Sequence, residues 1–139
     1  MNKMMRVCTS YLLSMMCCSQ LWANGCEISQ ITSNQLELLP EQHNSSNMAF
    51  SVKCPQPFNI SFNSHQSRSD GISYLSSGKH KIRTKLSAQG DRHITWATPI
   101  SQQENITHHY VVTATLIEPI TAITPAGTYR DNIRILIEY

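Results

Sequence analysis

Apolar residues recur at every second position over several short runs of this chain, and Gly, Pro, Asn and Ser separate the runs. Asn47 to Cys54 sets Met48, Phe50, Val52 and Cys54 against polar or small neighbours. Phe58 to Ser64 alternates Phe58, Ile60 and Phe62, and Pro55 and Pro57 break the chain between these runs. His80 to Ser87 places Ile82, Thr84 and Leu86 on one face, and Arg92 to Thr98 carries Ile94 and Trp96 together. His109 to Ile117 is β-branched and nearly continuous. In the last run Ile133, Ile135 and Ile137 share a face, with Tyr139 in line. Successive side chains of a strand point to opposite faces, so this period predicts strands packed on one side and, together, an all-β sandwich. Leu36, Leu38 and Leu39 fit an extended segment or a short turn. No amphipathic helix, internal repeat or low-complexity tract stands out.

The first residues follow a different rule. Lys3 and Arg6 precede Tyr11 to Cys18, a mostly apolar run shorter than the ~20 residues of a membrane-spanning helix. The small residue Ala23 follows. This order predicts an export signal over residues 1–23, cut after Ala23, and a single domain over residues 24–139. The competing readings are an N-terminal helix of the folded domain and lipidation at Cys17 or Cys18. Ser14-Met15-Met16 lacks the small residues that lipidation requires.

Removing the signal changes the composition. Cys8, Cys17 and Cys18 leave with it, so Cys26 and Cys54 remain, and an even pair in an exported chain predicts a disulfide. Lys3 and Arg6 also leave, which takes Lys plus Arg from 11 to 9 against 9 Asp plus Glu. A formal charge near zero argues against a general nucleic-acid binder. About 116 residues suffice for one core and are too few for two.

Residue chemistry points away from catalysis. His108 and His109 are adjacent and would face opposite ways on a strand, while His43, His65, His80 and His93 are scattered without metal-ligand spacing. The histidines therefore read as surface residues. There is no GxSxG and no glycine-rich phosphate loop. Asp70-Gly71 and Gly90-Asp91 are explained by turns. No catalytic residue, metal or cofactor is expected. Lys79, Lys81, Arg83 and Lys85 alternate in GKHKIRTK, hence on one face of a strand. They read either as a basic stripe that meets an acidic surface or as a solvated face protecting an edge strand. Sequons at Asn44, Asn59 and Asn105 carry little information in an Asn- and Ser-rich chain.

The segment YVVTATLIEPITAITPAGTYRDNIRILIEY resembles the end of the spore coat protein U domain, found in pilus subunits of archaic chaperone–usher systems. Pro125, Ala126, Gly127, Tyr129 and Asp131 match its Pro-Ala-Gly-x-Tyr-x-Asp turn before a last strand. A Cys near the mature N-terminus and another closing the second strand, as Cys26 and Cys54 do, also resemble this family. The likeness covers about residues 26–62 and 110–139; between them only the strand-like texture matches. The turn motif also occurs in chaperone–usher subunits generally.

The resemblance implies an incomplete immunoglobulin-like β-sandwich that lacks its final strand and leaves an apolar groove open. A periplasmic chaperone, and later the N-terminal extension of a neighbouring subunit, would add a strand beside Ile133, Ile135, Ile137 and Tyr139. An outer-membrane usher is the further partner implied, and the destination is a cell-surface fimbrium reached through the periplasm, with a host or abiotic surface as a contact. One departure from the family pattern is the short stretch, Asn24-Gly25, between the expected cleavage site and Cys26. Two residues cannot fill a groove several pockets long, so the expectation is a tip subunit that accepts a strand and has none to give. The reading from another class is a self-contained secreted binding module with a closed sandwich.

Overall fold

Side chains of matching period, contributed by strands far apart in sequence, meet between two antiparallel sheets. The computed structural model describes residues 25–139, so the export-signal reading of residues 1–23 lies outside the described residues. The strands are β1 (Glu27–Ser29), β2 (Ser45–Lys53), β3 (Phe58–Ser64), β4 (Ile72–Ser77), β5 (His80–Gln89), β6 (Ile100–Gln102), β7 (His108–Leu116) and β8 (Ile133–Glu138). One sheet has the order β1-β2-β7-β5-β4 and the other β6-β3-β8. The described residues contain no helix. This is the arrangement of an incomplete immunoglobulin-like sandwich, as expected.

Phe50 and Val52 of β2, Leu86 of β5, and Tyr110 and Val112 of β7 form one wall of the core. Phe58, Ile60 and Phe62 of β3 form the other, none more than 2% exposed. Phe62 lies at the centre: its ring centroid is 6.3 Å from Phe50, 5.7 Å from Tyr110 and 6.4 Å from Trp96. Aromatic pairs at such distances add ~0.5–1.5 kcal/mol each beyond the area they bury. The disulfide joins Cys26 to the fully buried Cys54, 28 residues apart. It clamps the start of β1 to the end of β2, and a loop of that length contributes roughly 3–4 kcal/mol by restricting the unfolded chain. β1, with three residues, pairs Glu27↔Lys53, Ile28↔Val52 and Ser29↔Ser51, so the clamp adds to a short ladder.

Two elements depart from the sequence pattern. Arg92 to Thr98 is not a strand; the short β6 follows it instead. Trp96 is buried there because its Nε1–H donates to Ser67 Oγ at 2.7 Å. Ala97 adopts a left-handed φ of 61° and its N–H donates to the Phe62 carbonyl at 2.9 Å. The alternation of Ile94 and Trp96 thus marks burial of a loop rather than a pleat. β4, which the pattern did not reveal, inverts the usual polarity: Ser73 is fully buried, while Ile72 and Tyr74 stand on the outer face. Leu36, Leu38 and Leu39 lie in an irregular run that belongs to neither a helix nor a strand.

Tyr110 is buried, and its hydroxyl makes no direct hydrogen bond. Burial, helped by the Asp91 carboxylate and opposed slightly by the Gln102 side chain, pushes its phenol up to about 12 from 10.0. The unfolded chain therefore loses this proton first. Stability from this group is intact below about pH 10 and is lost between about pH 10 and 12. Tyr110→Phe should cost little at neutral pH, since it removes an unpaired buried hydroxyl, and should reduce the alkaline loss. Urea unfolding of both proteins at pH 7 and at about pH 11 checks this; an equal alkaline loss in the two would contradict it.

Candidate strand-pairing edge

β8 pairs with β3 alone, from Ser64↔Ile133 to Asn59↔Glu138, and so forms an edge of the three-stranded sheet. Ile133, Ile135 and Ile137 point inward and pack on the core, yet each is only half-buried. Arg134, Leu136 and Glu138 point outward and are exposed. The inward row of β3, its neighbour, is fully covered. The difference arises because β3 has strands on both sides and β8 has one. An edge strand carries unpaired N–H and C=O groups, and an apolar edge left open is a template for another chain.

The run that leaves β1 adds further apolar side chains to the same core. Thr32 N–H donates to the Ala49 carbonyl at 3.0 Å and Thr32 Oγ1 accepts from Ala49 N–H at 2.9 Å, so this run continues along β2. Beyond it Leu36 and Leu38, together with Met48 of β2, pack half-buried on the same core as the β8 isoleucines. At the far end Tyr139, 63% exposed, lies over the start of β1: a Cβ on Gly25 would sit 3.8 Å from its hydroxyl. Half-covered apolar side chains of β8, of β2 and of the run after β1 thus pack on one core.

The turn before β8 fixes that edge in place. Asp131 Oδ2 accepts from Ser64 Oγ at the end of β3 and from Ser73 Oγ of β4, the latter at 2.6 Å. The two hydroxyls are themselves 3.0 Å apart. One carboxylate oxygen thus ties the two sheets together at the residue pair where β8 begins. Asp131 Oδ1 accepts from Asn132 N–H at 2.8 Å. Tyr129 donates its hydroxyl proton to the Pro125 carbonyl at 2.7 Å, closing the turn. Arg130 exchanges two backbone hydrogen bonds with Ser76 of β4. Gly127 approaches β4 so closely that a Cβ there would lie 2.9 Å from Ser77 Oγ. Ala126 is exposed and takes part in none of these bonds.

The other candidate residues lie apart from this edge. Lys81, Arg83 and Lys85 are exposed on the outer face of β5, whereas Lys79 sits in the tight turn beside Gly78, whose φ is 59°. β5 lies between β7 and β4, so these cations do not guard a sheet edge, contrary to one of the two expectations for them. His108 also departs from expectation. It is buried, with Nε2 3.0 Å from the Gln103 carbonyl and Nδ1 3.5 Å from the Asp91 carboxylate. The other five histidines are exposed. Asp70 serves the turn expected of it, with Oδ1 accepting from Ile72 N–H at 2.9 Å and Gly71 at φ 79°. Among the described residues no group of three or more His, Cys, Asp or Glu is arranged to hold a metal ion. One constellation had no signal in the sequence: Ser51 Oγ lies 2.7 Å from His109 Nδ1 and 2.8 Å from Gln30 Oε1. Ser51 is 1% exposed, so the contact braces β1 against β2 and β7 and offers no reachable nucleophile.

Asp131→Ala should destabilise the domain by about 1–3 kcal/mol, because it strips a charged acceptor from two serine hydroxyls, one of them fully buried. Asp131→Asn, which keeps an acceptor oxygen, should lose less. Urea unfolding measures both, and an alanine variant as stable as the parent would show that the tie across the sheets carries no energy.

No family model and no curated protein matches the chain. Among solved structures it is similar to a chain of the CsuC-CsuE chaperone–tip adhesion subunit pre-assembly complex, from archaic chaperone-usher Csu pili of Acinetobacter baumannii. The likeness has a TM-score of 0.51 at 18% identity, over 83% of this chain and 39% of that one. The present chain therefore spans well under half of the length it matches, and what the two share is the fold.

Proposed function

We propose that this chain is a structural or adhesive subunit of a chaperone–usher fimbria, exported through the periplasm, whose β8 edge accepts a strand from another chain. The observation that carries this reading is the half-covered row Ile133, Ile135 and Ile137 on an edge strand. A donated strand would add main-chain hydrogen bonds to β8 and set its own alternate apolar side chains into the gaps. Similarity of fold to a chain of a chaperone–subunit complex supports the same reading. The partners are a periplasmic chaperone first, an outer-membrane usher during export, and a neighbouring subunit in the fibre, with a host or abiotic surface as the contact of the finished fimbrium. This role requires no catalytic residue or cofactor.

Placement at the fibre tip rests on reading residues 1–23 as a leader, which leaves Asn24 and Gly25 ahead of the disulfide cysteine. N-terminal sequencing of the exported protein tests the leader, and immunogold labelling tests the placement. Label at fibre ends supports the tip; label along the shaft, or a mature N-terminus well before Ala23, contradicts it.

The edge itself is tested by two neighbouring substitutions. Ile135→Asp places an uncompensated charge in the strand-accepting row, at a cost of several kcal/mol, so chaperone affinity should fall by ~100-fold or more. Arg134→Asp, on the exposed outer face, should change affinity by less than about threefold. Co-purification and titration with the periplasmic chaperone give both values. Equal affinities would mean that β8 is not the pairing edge.

A further inference from the structure

The outer face of the five-stranded sheet carries a charge pattern that strand addition at β8 does not use. Lys81, Arg83 and Lys85 stand exposed at alternate positions of β5. Alternate residues on a strand are ~6.8 Å apart, so the three form a row about 14 Å long, and Lys79 in the adjoining turn extends it. The register sets Ile72, Tyr74 and Ser76 of β4 opposite Lys85, Arg83 and Lys81, and sets Thr115 of β7 opposite Lys85. No acidic residue occupies a cross-strand position beside the row. Two carboxylates flank the row, and four cations, Lys79 included, against these two anions leave the face net positive. Glu118 Oε2 accepts from Arg83 N–H at 2.9 Å and Asp70 Oδ1 from Ile72 N–H at 2.9 Å. The Lys85 ammonium donates to the Asp70 backbone carbonyl. Asp91, whose carboxylate lies 3.5 Å from His108 Nδ1, is away from this face.

Like charges in a row repel each other, and a sheet face that merely needs solvation intersperses the two signs. Here the cations are segregated on one strand. Protection of a sheet edge does not account for them, because β5 is an interior strand. Next to the row runs an uncharged strip of hydroxyls: Ser87 and Thr113 form one cross-strand pair, and Thr115 stands beside Lys85. The Lys81 ammonium lies 5.7 Å from the centroid of the Tyr74 ring and holds that ring against the face.

We propose that this face binds an anionic polysaccharide, a sugar chain bearing carboxylate or sulfate groups. Charge complementarity selects a polyanion, and the row of regularly spaced cations suits one laid along β5. The hydroxyl strip selects a polyol over an acidic peptide, since sugar hydroxyls exchange hydrogen bonds with Ser87, Thr113 and Thr115 while the anionic groups meet Lys81, Arg83 and Lys85. The site lies on the sheet that does not contain β8, so it stands or falls independently of strand addition.

Heparin is the probe, titrated against the full chain at low and raised salt. The parent should bind it, and binding should weaken as salt screens the charges. Lys81→Ala/Arg83→Ala/Lys85→Ala should weaken binding at least tenfold. Lys53→Ala/Arg92→Ala/Arg134→Ala, which removes the same charge from other exposed positions, should weaken it less than threefold. Absence of heparin binding in the parent overturns the proposal, as does an equal loss in the two variants, which would mean net charge alone. Poly-glutamate or single-stranded DNA binding as tightly as heparin overturns the polysaccharide class. Should the triple variant fail to fold, acetylation of the parent decides. Heparin should shield Lys81 and Lys85 but not Lys53, and equal reactivity of the three overturns the proposal.

Discussion

A strand that has a hydrogen-bonding neighbour on one side and none on the other sets the terms for this molecule. β8 gives its inward isoleucines to the core and leaves them half covered. Burying such a row is favourable by ~25 cal/mol for each Å² of apolar surface removed from water, and the fold forgoes part of that gain. Natural sheets blunt exposed edges with charge, proline or bulges. On β8 the charges of Arg134 and Glu138 point to the outer face, and nothing interrupts the inward row.

An edge of this kind works only if it is held still. Asp131 accepts hydroxyl protons from one serine on each sheet and does so two residues ahead of Ile133. Tyr129 and Gly127 hold the preceding turn to its own carbonyl and to β4. The disulfide clamps the start of the short β1 in the same way. The Pro125–Asp131 turn is therefore the device that positions the edge, and the plain isoleucines after it form the half-covered row.

Period two located β2, β3, β5 and β8, and a nearly continuous β-branched run located β7, because each of these strands turns a row of apolar side chains to the core. It failed at β4, whose buried residue is the serine that bonds Asp131 and whose outer face carries Ile72 and Tyr74. A polar group satisfied by a distant carboxylate leaves no trace in local hydropathy. It failed in the opposite sense at Trp96, where apolar residues two apart are buried by a loop with a left-handed Ala97. The isoleucine row of β8 and the cations of β5 were legible because each lies within one strand. The packing of Leu36 and Leu38 on the core, the buried His108 and the Ser51 brace were not, because each depends on segments brought together from far along the chain.

Backbone exchange on β8 tests the open edge most directly. In an antiparallel edge strand alternate amides bond to the neighbour and the rest face outward. Hydrogen–deuterium exchange resolved by residue across Ile133–Glu138 should show an alternation of slow and fast amides in the chain alone. Adding a synthetic peptide of alternating apolar residues that complements the groove should slow the fast set by orders of magnitude and leave the outer face of β5 unchanged. Amides of β8 that are uniformly protected in the chain alone, or fast amides that stay fast with a bound peptide, would contradict an edge built to take a strand.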